Sequence, residues 1–290
     1  MFDCDQYELL DFGNGRKLER IGGFVLDRLA PGAAGQRPSR PTLWDKADAI
    51  YSRDKTQRGR WRCSAGWPEN WTVSNGPITL ELKPTEVGHI GLFAEQAANW
   101  DWLAVQIKRA HQSPKVQGRV KVLNLFAYTG GSTLAAAAAG ADVVHVDSAK
   151  NTVGWAQRNA QRSGLQDATI RWIVEDAATF VKREVKRENV YHAVILDPPS
   201  YGHGPQGETW KLTRDLAELL RACANLTEKQ RCFFLLTCHS TGFGAPEVEA
   251  LLSDALFGNC QSGTRGKTIY LETKDGRRLR SGVAARWPHS

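Results

Sequence analysis

The chain has 290 residues, a net charge of +7 and a pI near 9.1, and 41% of its residues are hydrophobic, as in globular proteins with a sizeable core. It has neither an apolar run of roughly 18 residues nor a charged-then-apolar leader, so we expect a cytoplasmic protein without a membrane partner. The six cysteines form no C-x-x-C pair, which argues against a metal site or a disulfide framework, and the positive charge predicts a polyanionic partner.

Residues 1–85 predict a small, mostly β domain. Short strand-like segments, such as Phe24–Leu26 and Ile78–Lys83, lie between turn signals. Asn14-Gly15 and Asn75-Gly76 are typical of hairpin turns. Residues 31–42 are rich in proline and glycine, and we expect a loop there.

The same region is rich in tryptophan and arginine. Arg58, Arg60 and Arg62 interleave with Trp61. Such mixtures stack on bases and hold phosphates in nucleic-acid-binding proteins, which predicts RNA or substrate binding by this domain. The alternative is that the tryptophans fill the core of a small β domain. The four tryptophans concerned are Trp44, Trp61, Trp67 and Trp71.

Residues 86–115 connect this domain to the rest, with a loop at 88–93 and a helix predicted over 95–112. From 116 to 290 strands and helices alternate, which predicts a doubly wound, mainly parallel sheet. Predicted strands are 121–125, 143–146, 169–174, 193–196 and 232–236, and predicted helices are 134–139, 151–163, 177–187, 208–226 and 246–257. A hairpin of 268–273 and 279–285 around Asp275-Gly276 would make the terminal strand antiparallel.

The turn after the first of these strands predicts a nucleoside site. Strand, small-residue turn, helix, strand and then an acid, Asp147, is the layout in which the carboxylate binds ribose hydroxyls. A dinucleotide fingerprint needs glycines where this turn has Phe126 and Tyr128, and no lysine follows Gly130-Gly131 as in a P-loop. A ligand with adenine and ribose but no phosphate tolerates that bulk. S-adenosylmethionine is such a ligand.

Three further strands also end on special residues. Asp176 suits an adenine amino group, Asp197-Pro198-Pro199 suits the reacting centre, and Cys238 follows from the next strand. The carboxyl ends of parallel strands lie along one edge of the sheet, where ligands of such folds bind. We therefore expect these residues to form one site.

These motifs resemble those of class I S-adenosylmethionine-dependent methyltransferases. Within that class they are most similar to the family of ribosomal RNA large-subunit methyltransferase I, which methylates carbon 5 of a cytosine. The resemblance covers residues 85–290 and implies ribosomal RNA as the partner. Its members usually begin with an RNA-binding PUA domain, whereas residues 1–85 look like the family's second, small β domain. The resemblance rests on the Asn124–Gly131 turn, Asp147, Asp176, Asp197–Tyr201 and Thr237–Ser240.

The resemblance also implies a set of cofactor contacts. The turn would wrap the methionine part, Asp147 the ribose and Asp176 the adenine. Phe93-Ala94-Glu95-Gln96 is similar to a Phe-x-Asp-Gln element of the family, which adds Gln96. The implied cofactor-binding residues are Gln96, Phe126, Ala127, Tyr128, Thr129, Gly130, Asp147, Ser148, Asp176, Ala177 and Asp197.

Methylation at carbon 5 of a cytosine needs a nucleophile and a base. The Cys238 thiolate would add to carbon 6 and activate carbon 5, and Asp197 would take or relay the proton. His239 follows Cys238 directly, but neighbours on a strand point to opposite faces. The alternative for Cys238 is a small buried apolar side chain.

The Asp197 corner also permits methylation of an exocyclic amino group. There the acid and a backbone carbonyl would hold the amino group, with Pro198, Pro199 and Tyr201 as substrate contacts. In that motif the aromatic residue follows the second proline directly, whereas Ser200 intervenes here, which favours carbon 5. Methylation of a small molecule, and a non-catalytic protein that binds S-adenosylmethionine and RNA, stay open. Of the two base chemistries, only carbon 5 requires Cys238.

Overall fold

The computed structural model describes residues 2–56, 58–240, 242–259 and 263–289. The chain forms two compact units, one up to Ala97 together with Tyr270–Ser281, and one from Ala98 to Ile269 together with the residues from Gly282 onward. The division therefore lies at Ala97, whereas the sequence placed the first boundary near residue 85, and a C-terminal segment belongs to the first unit. In the described part of the chain, no helix has the length and apolarity that crossing a membrane requires.

The first unit contains an N-terminal antiparallel region, as predicted. Its strands are β1 (Tyr7–Gly13), β2 (Arg16–Ile21), β3 (Phe24–Leu29), β4 (Ala49–Arg53), β5 (Gly59–Cys63), β6 (Trp71–Asn75) and β7 (Ile78–Leu82). The first five form one sheet in chain order, antiparallel except between β3 and β4, and β6 pairs with β7. Asn14 and Gly15 have φ of 52° and 74°, the left-handed pair of a tight hairpin turn.

The loop predicted at residues 31–42 is only partly a loop. It contains a 3₁₀ helix, Pro31–Ala33, and the start of helix α1 (Pro41–Trp44). Both begin at a proline, whose fixed φ suits the first helical position and whose missing N–H is not needed there. The prolines therefore start these short helices, whereas the sequence pattern predicted a loop.

Buried charged side chains of the first unit lie beside side chains of opposite charge. Glu19 is inaccessible to solvent and lies 2.6 Å from the Arg28 guanidinium and 2.8 Å from Lys17 Nζ. Burial by itself would raise the pKa of Glu19, but the two cations outweigh it and lower that pKa to about 2. Asp11 is equally buried and pairs with Arg277 at 2.6 Å. Loss of Arg277 would leave the buried Asp11 carboxylate without its ion pair, whereas Glu19 would keep one of its two cations after loss of the other.

Tryptophans of the first unit contact other residues of that unit. Trp61 donates to the Thr85 carbonyl at 2.8 Å and its ring lies 5.2 Å from that of Tyr51. Trp67 and Trp71 contact each other at 5.1 Å between ring centroids. These contacts support core filling, the alternative raised for the tryptophans.

The second unit is built on a seven-stranded sheet in the order β10-β9-β8-β11-β14-β16-β15. The strands are β8 (Lys121–Leu125), β9 (Asp142–Asp147), β10 (Ile170–Val174), β11 (Ala193–Leu196), β14 (Phe233–Cys238), β15 (Arg265–Glu272) and β16 (Arg278–Trp287). The pairs from β10 to β14 are parallel and β16 is antiparallel to β14. The predicted class I methyltransferase topology is therefore confirmed.

Helices connect these strands. After a 3₁₀ turn at Ala94–Gln96 they are α2 (Ala97–His111), α3 (Gly131–Ala138), α4 (Lys150–Arg162), α5 (Ala177–Lys186), α6 (Leu212–Thr227) and α7 (Ala245–Phe257). The helix predicted from residue 208 begins only at Leu212. Residues before it form a short hairpin of β12 (Tyr201–His203) and β13 (Thr209–Lys211), which replaces that part of the helix.

The core lies on both faces of the sheet. On β14, Phe234, Leu236 and Cys238 belong to the apolar cluster with residues of α5, α6 and α7. Phe233 and Leu235 belong to the cluster with α2 and α3 residues on the other face. Successive side chains of a strand point to opposite faces, and this strand is buried on both. The alternation decides which residues at the end of β14 face the site.

Candidate functional site

The turn between β8 and α3 has an uncommon backbone conformation. Phe126 and Tyr128 have φ of 54° and 50°, and Gly130 has φ of 92°. Left-handed conformations at residues other than glycine cost on the order of 1–3 kcal/mol each and persist where the surrounding structure holds them. They occur most often at binding and active sites.

Asp147, the last residue of β9, holds this turn. Its Oδ2 accepts a hydrogen bond from the Tyr128 backbone N–H at 2.9 Å, and its Oδ1 accepts one from the Ala149 N–H at 3.0 Å. Asn159 of α4 donates its amide to the Thr129 carbonyl at 2.9 Å. Burial raises the pKa of Asp147, and the two N–H donors lower it in part. The carboxylate and the turn are therefore one connected unit.

Contacts with neighbouring side chains explain why this turn has glycine at Gly131 and an aromatic residue at Phe126. A Cβ on Gly131 would lie 2.5 Å from the Trp100 ring of α2, so only glycine fits there. The Phe126 ring lies 5.0 Å from that of Trp210, between centroids. The aromatic bulk that excludes a pyrophosphate-binding turn is therefore used to anchor the turn to its neighbours.

Asp176 follows β10 and caps α5. Its Oδ1 accepts a hydrogen bond from the Thr179 N–H at 2.8 Å. Ala177 is buried in the first turn of α5, and Ser148 is half-buried beside Asp147. The capping bond uses one lone pair of the carboxylate, and the adenine contact of Asp176 stays a prediction.

Gln96 lies in the 3₁₀ turn of the first unit and is buried. Its cofactor contact stays a prediction.

Asp197 lies at the carboxyl end of β11, next to Thr237 of β14. Thr237 donates its hydroxyl to Asp197 Oδ1 at 2.5 Å, and His239 Nε2 lies 3.3 Å from the same oxygen. The Asp197 and His239 side chains are 32% and 29% exposed. A Cβ on Gly282 of β16 would lie 2.8 Å from His239 Nδ1, so this glycine leaves room for the imidazole. The result is a solvent-accessible carboxylate–imidazole pair.

Cys238 points away from this pair. It is 1% exposed and lies in the apolar cluster between the sheet and α6 and α7. Burial raises the pKa of its thiol, hydrogen bonds with Ser240 oppose this in part, and the Asp197 charge adds a smaller upward contribution. The structure therefore places the Cys238 thiol in the core, where burial disfavours the reactive thiolate, and its role as a nucleophile stays a prediction.

The five cysteines of the described chain are free thiols, and no group of metal-ligating side chains occurs among its residues. Cys260 lies outside the described residues.

The rest of the Asp-Pro-Pro corner is held by the hairpin before α6. Trp210 donates its indole N–H to the Pro199 carbonyl at 2.7 Å. Pro198 is buried, Pro199 is exposed, and Tyr201 is 52% exposed, with its ring edge-on to His203 at 5.0 Å. The predicted substrate contacts Pro199 and Tyr201 are therefore accessible to a ligand.

Three residues that hold the site, Thr237, Trp210 and Asn159, received no role from the sequence. Side chains alternate along β14, so Thr237 and His239 lie on the same face. The sequence pattern therefore could have predicted Thr237 at the site. Trp210 and Asn159 gave no local signal, since they bond to Pro199 and Thr129, which lie 11 and 30 residues away along the chain.

These groups fit S-adenosylmethionine. Each Asp147 oxygen accepts one backbone N–H and has lone pairs left for ribose hydroxyls. The turn from Phe126 to Gly130 carries no cation for a phosphate. The first N–H groups of α3 have no partner within their own helix, which suits the carboxylate of a methionine moiety.

A family model described as S-adenosylmethionine-dependent methyltransferase matches residues 61–250. The crystal structure of a SAM-dependent methyltransferase from Agrobacterium tumefaciens is similar over 98% of this chain and 90% of its own, with 34% identity and a TM-score of 0.88. SMU.776, crystallised with SAH, has 17% identity and a TM-score of 0.73 over 97% of this chain and 75% of its own, and supports the fold alone.

Curated relatives carry names of ribosomal RNA methyltransferases. Ribosomal RNA large subunit methyltransferase K/L of Shewanella frigidimarina is 32% identical over 66% of this chain and 24% of its own length. Ribosomal RNA large subunit methyltransferase I of Aeromonas hydrophila is 27% identical over 47% of this chain and 32% of its own length. The chain thus spans a third or less of either relative.

Proposed function

Because the chain belongs to the family of S-adenosylmethionine-dependent methyltransferases, we propose that it methylates a base of RNA and that the methyl acceptor is an exocyclic amino group held at Asp197. Relatives named as ribosomal RNA methyltransferases support RNA as the substrate class and ribosomal RNA as the first candidate. The net charge of +7 agrees with a polyanionic substrate.

The observation that carries the choice of acceptor is the arrangement at the end of β14. Asp197 and His239 are accessible and face each other, while Cys238 is buried on the opposite face. A carboxylate fixed by Thr237 is an acceptor for an amino N–H. Methylation at carbon 5, predicted from the resemblance, would need Cys238 to leave the core and lose its proton.

The residues have distinct parts in this proposal. Asp147 and the Phe126–Gly130 turn hold the cofactor, which when bound supplies the methyl group. Asp197 accepts a hydrogen bond from the amino group and orients its nitrogen. His239, at 3.3 Å from Asp197, takes up the proton that the amino group releases and stays beside a carboxylate that stabilises its positive charge. Tyr201 is the exposed aromatic side chain available to stack on the base.

Methyl transfer from labelled S-adenosylmethionine to total RNA tests the proposal with three variants. His239→Gln is expected to lose about 10²- to 10⁴-fold in activity, the range of one acid–base group, and Asp197→Asn is expected to lose less, because the amide oxygen can still accept a hydrogen bond from the amino group. Cys238→Ala is expected to retain activity, since its side chain lies in the core.

Digestion of the labelled RNA identifies the product. An N-methylated base supports the proposal. Labelled 5-methylcytosine, together with an inactive Cys238→Ala variant that still binds the cofactor, would replace it with the carbon-5 mechanism. Label incorporated into no RNA, but into a small-molecule extract, would contradict RNA as the substrate.

A further inference from the structure

The hairpin of β4 and β5 carries five exposed basic side chains and one acid, so its net charge is +4. The whole first unit has 17 basic and 15 acidic side chains, a net charge of only +2. The positive charge of this unit is therefore concentrated in one hairpin. We call this set the basic hairpin, and its cations are Arg53, Lys55, Arg58, Arg60 and Arg62.

The cations of the basic hairpin form no ion pair within 4 Å in the described part of the chain, although Asp54 lies in the same hairpin. Elsewhere in the unit, eight basic side chains each lie within 4 Å of a carboxylate. The eight paired residues are Arg16, Lys17, Arg20, Arg28, Arg40, Lys274, Arg277 and Arg278.

Asp54, the acid of the hairpin, forms hydrogen bonds within the hairpin turn. Asp54 Oδ1 accepts hydrogen bonds from the backbone N–H of Thr56 at 2.8 Å, the Thr56 hydroxyl at 2.6 Å and the N–H of Arg58 at 3.0 Å. These bonds, with Thr56 the main contributor, lower the pKa of Asp54, so it stays ionised as a structural group. Asp54 therefore holds Thr56 and Arg58 through its own side chain.

The two faces of β5 are used differently. Trp61 points inward, contacts Tyr51 and donates to the Thr85 carbonyl, so its ring is held by the unit. Arg60 and Arg62 flank it in sequence and therefore share the opposite, exposed face. β5 is the edge strand of its sheet. One or two charges suffice to deter edge pairing, whereas five cations in one hairpin exceed that need.

We propose that the basic hairpin is the docking surface for the phosphodiester backbone of the substrate RNA. This proposal rests on the proposed action on RNA. Unpaired guanidinium groups bind phosphate in bidentate fashion and with little dehydration cost. Because Trp61 is turned inward, the surface contacts phosphates without stacking on bases. It thus supplies affinity that is independent of sequence, and base choice is left to the methyl-transfer site.

The test compares two triple variants of the full chain. The hairpin variant is Arg58→Gln, Arg60→Gln and Arg62→Gln. The matched control is Arg40→Gln, Lys274→Gln and Arg278→Gln, which removes the same charge from exposed, ion-paired positions of the same unit. Unchanged cofactor affinity and thermal unfolding show that both variants fold.

Binding of a labelled single-stranded RNA oligonucleotide is followed by fluorescence anisotropy over a range of salt concentrations. The hairpin variant is expected to bind roughly tenfold or more weakly, and its slope of log K against log salt is expected to be smaller by about 2 to 3. The control variant is expected to keep nearly the slope of the unmodified protein.

Three results would overturn the proposal, and they differ in what else they imply. Equal losses in the two variants would mean that net charge alone matters, with the RNA methyltransferase function intact. No RNA binding by the unmodified protein at low salt would contradict the proposed function as well. Hairpin-dependent binding to phosphatidylserine vesicles but not to RNA would assign the surface to a membrane.

Discussion

Asp147→Asn is the sharpest test of the cofactor site. The carboxylate accepts backbone hydrogen bonds from Tyr128 and Ala149, one on each oxygen, and is proposed to accept the ribose hydroxyls as well. The amide keeps one accepting oxygen and turns an N–H₂ group toward the other donors. Hydrogen bonds to a charged group contribute about 1.5–3 kcal/mol each, so losing one equivalent weakens S-adenosylmethionine binding about 10- to 150-fold.

Isothermal titration calorimetry with S-adenosylmethionine measures this loss. The matched control is Asp142→Asn, the same substitution at the first residue of the same strand, where the carboxylate pairs with Arg119 at 2.8 Å. Its affinity is expected to stay within about twofold of the unmodified protein, since surface pairs contribute little. Equal affinities for the two variants would refute the assignment of Asp147 to the cofactor.

The ionisation of Asp147 gives the same test a pH dependence. Burial raises the pKa of this carboxyl above its ordinary value of 3.8, so it takes up a proton at a higher pH than an exposed aspartate. The charged form is the one that accepts the hydrogen bonds, and it is present above that pKa. Cofactor affinity therefore falls as the pH is lowered through the raised pKa, and this loss is absent in Asp147→Asn. A pH profile shared by both proteins would count against the carboxylate.

Three further predictions concern burial. In the native protein, iodoacetamide should modify the exposed Cys4 well before Cys238, as read by mass spectrometry; early modification of Cys238 would revive it as a nucleophile. His145 is inaccessible and burial lowers its pKa from 6.5 to about 3, so below pH 6.5 the unfolded chain binds a proton that the native chain does not. The free energy of unfolding in urea should fall by up to about 1.4 kcal/mol per pH unit over that range, and less steeply in His145→Asn; identical slopes would contradict this. Arg277→Met leaves Asp11 buried without its ion pair and should lower the stability of the first unit by about 3 kcal/mol in urea titrations, whereas a change below about 1 kcal/mol would assign the stability of Asp11 to its other donors.

Strands of the second unit were predictable because they are buried on both faces. Parallel strands covered by helices on both sides read as short apolar runs, and the run at Ala193–Leu196 has the same bounds in the sequence analysis and in the structure. Asp147 and Asp197 could be placed because the residue after a parallel strand lies at the ligand edge. The topology also followed from the alternation of strands and helices.

Short elements near glycine and proline were not predictable in the same way. The hairpin Tyr201–His203 with Thr209–Lys211 is too short to show a period, and it is held by the bond from Trp210 to Pro199. The 3₁₀ and α turns at Pro31 and Pro41 begin at residues that act as breakers elsewhere. Local sequence leaves such segments open, and neighbouring contacts decide them.

By itself the sequence determined the fold class and the residues that end most strands, since these depend on the alternation and periodicity of single segments. It also determined that Cys238 and His239 point to opposite faces. Only the tertiary structure decided which of the two faces the Asp197 corner. That depends on the register of β14 against β11, where Leu196 lies beside Leu236 and thus Asp197 beside Thr237. Register between strands forty residues apart is set by packing on both faces of the sheet, which no local pattern records.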